Sequence, residues 1–503
     1  MDFVWFSNGF GFSADPWSLN GKVYDGKTFH SKKLKETKLK VFEFWRYFRK
    51  CCPDYKVRVR GTNNTVGIDY ATDAVPIYDI YKGNFNIDPI PNSPWAAMND
   101  NYGLEIMGYM TRICELPTDY FLFRYYLHDP WWANSPWYDR YGGEPIGIYL
   151  PLAVTRINEY GYVQSAENLN ILSIDNSFGN MPDSCVNEPI PHFIKAKKDA
   201  GDKPAPLVLL YPVREYSTAT KEDTIRQMYM GDKYIVEAIN NSLPLNCVVS
   251  TDTFIKNDIN IYNGSIIISP VPETHEIRHK LTKFMENGGN VIFYGTTEYL
   301  EKIGDIDAVK VDVNENSATY IRERLVDFGY YINFDIIHKR KKTTTMTIAN
   351  SNNGLFFSLY NETNILDMYL RFPLGVPIFI GSDVIIENGI GKYRYGRCEH
   401  LECRVFVKQN NGIVSMRELP PINKKYRRIL QLTGLENAEV YYFPEEYCKS
   451  NAAVGEDVPL DFVTPPFNDS FKAINDFRYG TYMKSEKVSG DLKLYMPFAE
   501  YID

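Results

Sequence analysis

The chain has 503 residues, 44% of them hydrophobic, 15% aromatic, with a formal net charge of -8 and a pI near 5.6. That length holds more than one core, roughly three domains of about 150 residues each. The acidic balance excludes a broad phosphate-binding face, so nucleic acid is not an expected partner.

The N-terminal run MDFVWFSNGF lacks the positive start and long apolar core of a secretory leader. From there to residue 205, strand and helix signals alternate, which predicts a parallel α/β unit. Strands are expected at Phe3–Asn8, Val57–Thr62, Tyr120–His128 and Leu169–Asp175, with helices over Leu34–Phe48 and Leu104–Leu116. Four strands do not close a barrel, so this part reads as a partial (β/α)8 barrel whose edges are completed by upstream sequence or a partner subunit. Any strands missed by this count are expected near Ala74–Tyr81 or Ile146–Leu152.

Side-chain alternation sets Val57 and Val59 against Arg58 and Arg60, and sets Phe121, Phe123, Tyr125 and Leu127 against Leu122, Arg124, Tyr126 and His128. The apolar sets should face helices, leaving Arg58, Arg60, Arg124, Tyr126 and His128 inward, joined by Ser173 and Asp175 if the fourth strand is phased likewise. An arginine-lined interior suits hydroxyls or the carboxylate of an acidic sugar. Turn-rich loops follow each strand: RGTNNTVGIDYATD, carrying Asn63, Asp69 and Asp73, and HDPWWANSPW, carrying Asp129, Trp131, Trp132 and Trp137. Flat indole faces beside a carboxylate and an imidazole are what a sugar site is built from.

Residues 206–340 read as a flavodoxin-like open sheet: strands at Leu207–Val213, Cys247–Thr251, Ser265–Ser269 and Asn290–Gly295, with helices over Glu222–Asn240 and Thr274–Glu286. Ile277, Leu281, Phe284 and Met285 make the apolar stripe of the second helix, and Asn287-Gly288-Gly289 stops it. No Gly-rich phosphate fingerprint opens either helix. Short alternating runs from 341 to 450 predict a β-sandwich, with tight turns at Asn352-Asn353-Gly354 and Asn410-Asn411-Gly412. The remainder, 451–503, reads as a loosely packed tail anchored by Phe467, Phe471 and Tyr482. No window of about 18 apolar residues occurs, so no membrane span is expected. Eight cysteines without a framework spacing read as free thiols in a reducing, cytoplasmic setting. Cys398, His400 and Cys403 are close together but lack a fourth ligand, so neither a metal nor another cofactor is expected.

The order of partial barrel, flavodoxin-like sheet and β-sandwich resembles the trimeric family 42 β-galactosidases and their clan A relatives. The segment YNGSIIISPVPETHEIRHKLTKFMENGGNVIFYG, Tyr262–Gly295, resembles their trimerisation domain, itself similar to a class I glutamine amidotransferase without its cysteine. The resemblance implies a glycoside hydrolase acting on or binding β-linked sugars such as β-galactosides, assembled as a homotrimer, with an incomplete active site in this chain because the strand carrying the clan's acid/base glutamate would precede Met1. A non-catalytic carbohydrate-binding or assembly protein is the alternative. If the strand ending at Asp175 matches the eighth of the barrel, the strand ending at Asp129 matches the seventh, where the clan places its nucleophile. Asp129 and Asp175 are therefore the candidate catalytic pair, since glycoside hydrolysis needs two carboxyl groups roughly 5 to 9.5 Å apart. Trp131, Trp132, Trp137, His128, Arg124, Tyr126, Arg60, Asn63 and Asp69 are the candidate sugar contacts.

Overall fold

The computed structural model describes residues 3–6, 22–60, 62, 64–90, 101–118, 121–128, 145–173, 183–304, 306–335, 342–350, 354–361, 365–420, 426–444, 453–455, 472–476 and 479–497. They form a mixed α/β protein with a β-rich C-terminal region, in two compact units, Met1–Tyr320 and Ile321–Asp503. Among the described residues no helix is long and apolar enough to cross a membrane.

The first unit opens with β1 (Phe3–Phe6), β2 (Lys56–Arg60) and β3 (Ile87–Ile90), a parallel sheet in that order. The Ser31–Cys51 helix covers it, burying Leu34, Val41 and Trp45, with Phe6 edge-on to Phe48 at 5.1 Å. β4 (Leu122–His128) is followed by β5 (Thr155–Ile157), β6 (Val163–Ser165) and β7 (Asn168–Ser173), and β4 pairs in parallel with β7. The strand-like runs near Ala74–Tyr81 and Ile146–Leu152 are helical instead, at Ile77–Lys82 and Ile146–Leu152. The strands absent from the sequence reading of this segment are β3, whose IDPI sequence carries a proline that argues against a strand, and the three-residue β5 and β6. Among the described residues β1 to β3 form a three-stranded parallel sheet and β4 and β7 a two-stranded one, with no closed ring of eight.

The remaining strands are β8 (Leu207–Tyr211), β9 (Cys247–Ser250), β10 (Ile266–Pro270), β11 (Asn290–Gly295) and β12 (Val309–Asp312). They form a seven-stranded sheet in the order β12-β11-β10-β8-β9-β5-β6, parallel except for the β5–β6 pair. β8, β9 and β10 are buried along their whole length, as strands covered on both faces must be. The His275–Glu286 helix is capped by Thr274 and buries Ile277, Leu281 and Phe284, while Gly288 at φ 85° ends it. A boundary expected at residue 205 is therefore crossed by the sheet, because β5 and β6 come from the earlier segment.

Helices from that segment also pack onto the Glu222–Asn240 helix. Gly103, on the Tyr102–Ile113 helix, donates its N–H to Asn240 Oδ1 at 2.9 Å. A Cβ there would stand 2.3 Å from the Val236 carbonyl, so only glycine allows the approach. Arg156 of β5 caps the other end of the Tyr102–Ile113 helix, donating to the Ile113 and Leu116 carbonyls at 2.8 Å.

The second unit is built on a 13-stranded sheet whose strand pairs are antiparallel throughout. Two expectations are corrected here. The segment 451–503 is not a loose tail, since Gly480–Pro497 pairs along Tyr426–Tyr442 and buries Tyr482, Leu494 and Tyr495; Phe467 and Phe471 lie outside the described residues. Nor does Asn410-Asn411-Gly412 fold Cys398–Lys408 back on Asn411–Leu419. Those strands pair with successive stretches of Tyr426–Tyr442, and Gln409 seals the break by donating to the Asn411 carbonyl at 2.8 Å and accepting from Glu436 N at 2.8 Å. Asn352 and Asn353 lie outside the described residues.

Gly103→Ala should destabilise the first unit by about 1–3 kcal/mol. Urea unfolding of the full chain checks this; an unchanged midpoint would mean that the two helices do not meet as closely as described.

Candidate functional site

Strand parity falls as the sequence indicates. Val57, Val59, Phe121, Phe123 and Tyr125 are buried, and Arg58 lies over the Phe3 ring at 4.3 Å. Arg124 is fully buried and its Nε donates to Asn170 Oδ1 at 3.2 Å, across the β4–β7 pair. The same register sets His128 opposite Ser173, so the two strands end side by side. The side chains of Arg60, Tyr126 and His128, and residues Asn63, Asp129, Trp131, Trp132, Trp137 and Asp175, lie outside the described residues.

Asp69 and Asp73 are not on a loop, since Val66–Asp73 is a helix. Its N-cap, Thr65, accepts from Ile68 N at 3.1 Å. Asp69, in the first turn, is buried; its Oδ2 accepts from Thr62 Oγ1 at 2.6 Å and faces Arg112 Nη2 at 3.3 Å. Arg112 also donates to the Gly108 carbonyl at 3.1 Å and to the Asn64 carbonyl. Burial pushes the Asp69 carboxyl up to about 6, outweighing the lowering by Arg112. Asp73 accepts from Thr72 Oγ1 at 2.5 Å. Asp69 is thus part of an interior ion pair that holds the chain after β2 against the Tyr102–Ile113 helix.

A second carboxylate lies beside it. Asp232, on the Glu222–Asn240 helix, is fully buried; its Oδ2 accepts from Tyr211 OH at 2.7 Å and from Thr65 Oγ1. Gly67 N donates to Tyr211 OH at 2.9 Å. A Cβ on Gly67 would stand 2.5 Å from Asp232 Oδ2. Burial raises the Asp232 carboxyl to about 7, against the lowering by its donors. Asp232 gave no signal in the sequence, because one acid within a 19-residue amphipathic helix reads as solvated charge. Arg112 was equally hidden, 43 residues from its partner.

Cys398, His400 and Cys403 lie on one strand, with Cys398 and His400 on one face and Cys403 on the other. Among the described residues no three potential ligands gather for a metal.

The raised carboxyls set a pH dependence. Below about pH 4 both folded and unfolded states hold these protons; as pH rises the unfolded chain releases them first, so stability falls until the folded carboxyls ionise near 6 and 7. Thermal melts between pH 4 and 8 should show this decline. Asp232→Asn should flatten it by a contribution on the order of a few kcal/mol; an unchanged slope would contradict the assignment.

No family model matches the chain, and no curated protein matches it. Among solved structures it is similar to an apo exo-carrageenase of GH42 from Bacteroides ovatus, with a TM-score of 0.39 and 12% identity over 74% of this chain and 55% of that one. It is similar to Gan42B, a GH42 β-galactosidase, with a TM-score of 0.24 and 11% identity over 94% and 69% of the two chains. A β-galactosidase from Rahnella sp. R3 gives 0.29 and 9% over 91% and 68%. The chain spans about half the length of the carrageenase. These structural neighbours are glycoside hydrolases.

Proposed function

We propose that this chain is a glycoside-hydrolase-like protein acting on β-linked sugars such as β-galactosides, on a partial (β/α)8 barrel followed by a glutamine-amidotransferase-like domain and a β-sandwich. The observation that carries this reading is the β4–β7 register. His128 and Ser173 are lateral partners, at the roughly 4.8 Å spacing of neighbouring strands. Asp129 is one residue beyond the first and Asp175 two beyond the second, so covalent geometry alone keeps each within about 4 to 8 Å of its strand end. In this reading the two carboxyls stand across the scissile bond in the range that glycoside hydrolysis requires. Asp129 is the proposed nucleophile and Asp175 the second carboxyl. Trp131, Trp132 and Trp137 are the proposed stacking faces, and Arg124, held by Asn170, is the proposed cationic sugar contact.

A binding-only role is favoured by one observation: among the described residues β1 to β3 and β4 with β7 form separate sheets rather than a closed barrel. Turnover of an aryl β-galactoside and affinity for lactose, measured side by side, separate the two readings. The hydrolase reading expects turnover that Asp129→Ala reduces by at least about a thousandfold, roughly 4 kcal/mol of transition-state stabilisation, with binding weakened by Trp131→Ala. Binding without turnover supports the second reading, and absence of both rejects the carbohydrate assignment.

The resemblance of Tyr262–Gly295 to a trimerisation domain further supports a homotrimer. Sedimentation at micromolar concentration should give three times the monomer mass, and a monomer alone would reject the assembly.

A further inference from the structure

The seven-stranded sheet has a switch point. From β8 the chain passes to β9 on one side, then crosses to β10 on the other. Open parallel sheets bind ligands at the carboxyl ends of strands where the winding reverses. Here that place is a crevice with an inner cavity of 10 Å³, room for about one water, and an outer groove of 360 Å³ that shares Glu215, Glu273 and Tyr299 with it. The outer volume lies within the range of small-molecule sites.

Tyr216, which lines the inner cavity, is 4% exposed, and its hydroxyl meets no hydrogen-bond partner among the described residues. A buried hydroxyl left unmatched costs about 1–3 kcal/mol unless something completes it. The inner wall also carries two carboxylates. Glu215 is neutralised by Arg214 at 3.0 Å and accepts from Thr251 Oγ1 at 2.7 Å. Glu273 accepts from Tyr299 OH at 2.9 Å and Thr224 Oγ1 at 3.1 Å and is in no ion pair among the described residues.

The outer groove is of mixed charge. Lys221, Arg278 and Lys302 line it together with Asp223 and the shared Glu215 and Glu273, and none of the three cations is ion-paired among the described residues. Arg278 is aimed by its own backbone bonds, Nε to the Pro272 carbonyl at 2.8 Å and Nη1 to the Lys302 carbonyl at 3.1 Å. Lys302 Nζ lies 3.5 Å from the centre of the Tyr299 ring.

We propose that this crevice binds a small zwitterion of the α-amino-acid class, its ammonium donating to Glu273 and the Tyr216 hydroxyl oxygen and its carboxylate held by Arg278 and the rim lysines. The proposal stands independently of the β4 and β7 strand ends.

Calorimetric titration of the full chain with glycine, L-serine, L-glutamate and L-lysine, with sodium acetate and methylammonium chloride as single-charge probes, tests it. Saturable binding of at least one amino acid is expected, with neither single-charge probe matching its affinity. Tyr216→Phe and Glu273→Gln should each weaken that binding by at least about tenfold. Without ligand, Tyr216→Phe should melt no lower than the parent chain, because it removes an unmatched hydroxyl. No saturable binding by any of the four, equal binding of acetate or methylammonium, or an affinity unchanged by Tyr216→Phe would overturn the proposal.

Discussion

Asp232 is a buried carboxylate in no ion pair among the described residues, placed where three distant pieces of chain meet. Its own helix supplies the acid, the end of β8 supplies the Tyr211 hydroxyl, and the cap of the Val66–Asp73 helix supplies Thr65. An isolated buried charge is prohibitive, and the group answers by holding its proton toward neutrality and by collecting hydroxyl donors. The geometry demands Gly67 at its closest approach and orders Thr65 as both helix cap and donor. Asp69 and Arg112 repeat the solution one turn away, this time with a cation. Together these contacts fasten the chain after β2 to the seven-stranded sheet, and the helix carrying Gly103 lies against the same Glu222–Asn240 helix.

That fastening explains why the first 320 residues are one compact unit rather than two successive domains. β5, only three residues long, adds to the edge of β9, and Arg156 on it gathers the carbonyls at the end of the Tyr102–Ile113 helix. The strands from which the proposed catalytic carboxyls extend, β4 and β7, lie on either side of β5 and β6 in sequence. The chain therefore leaves one sheet, contributes to the other, and returns.

The sequence was most legible where one force dominates. β8 to β11 are apolar runs between turn signals, and the helix from His275 combines a Thr cap, a clean apolar stripe and a Gly-Gly stop; all were read within a residue or two. Strand parity was legible as well, down to Arg124. What escaped was short or set by distant partners. β3 contains a proline and β5 spans three residues. TVGIDYATD looks like a loop until the Thr65 cap and the Asp232 contact fix it as a helix, and the Asn-Gly signal at 411–412 marks a break sealed by Gln409 rather than a hairpin. For the site, the acids were visible as types, but Asp69 turned out to have an interior partner that no local pattern reveals.

The proposal that a glycosidase nucleophile, Asp129, follows the end of β4 is open to covalent trapping. Incubation with an activated 2-deoxy-2-fluoro-β-galactoside is followed by peptide mass mapping. One covalent sugar is expected on the peptide containing Asp129, absent from Asp129→Ala. A label on another carboxylate, or no label under conditions where the aryl galactoside is turned over, would contradict it.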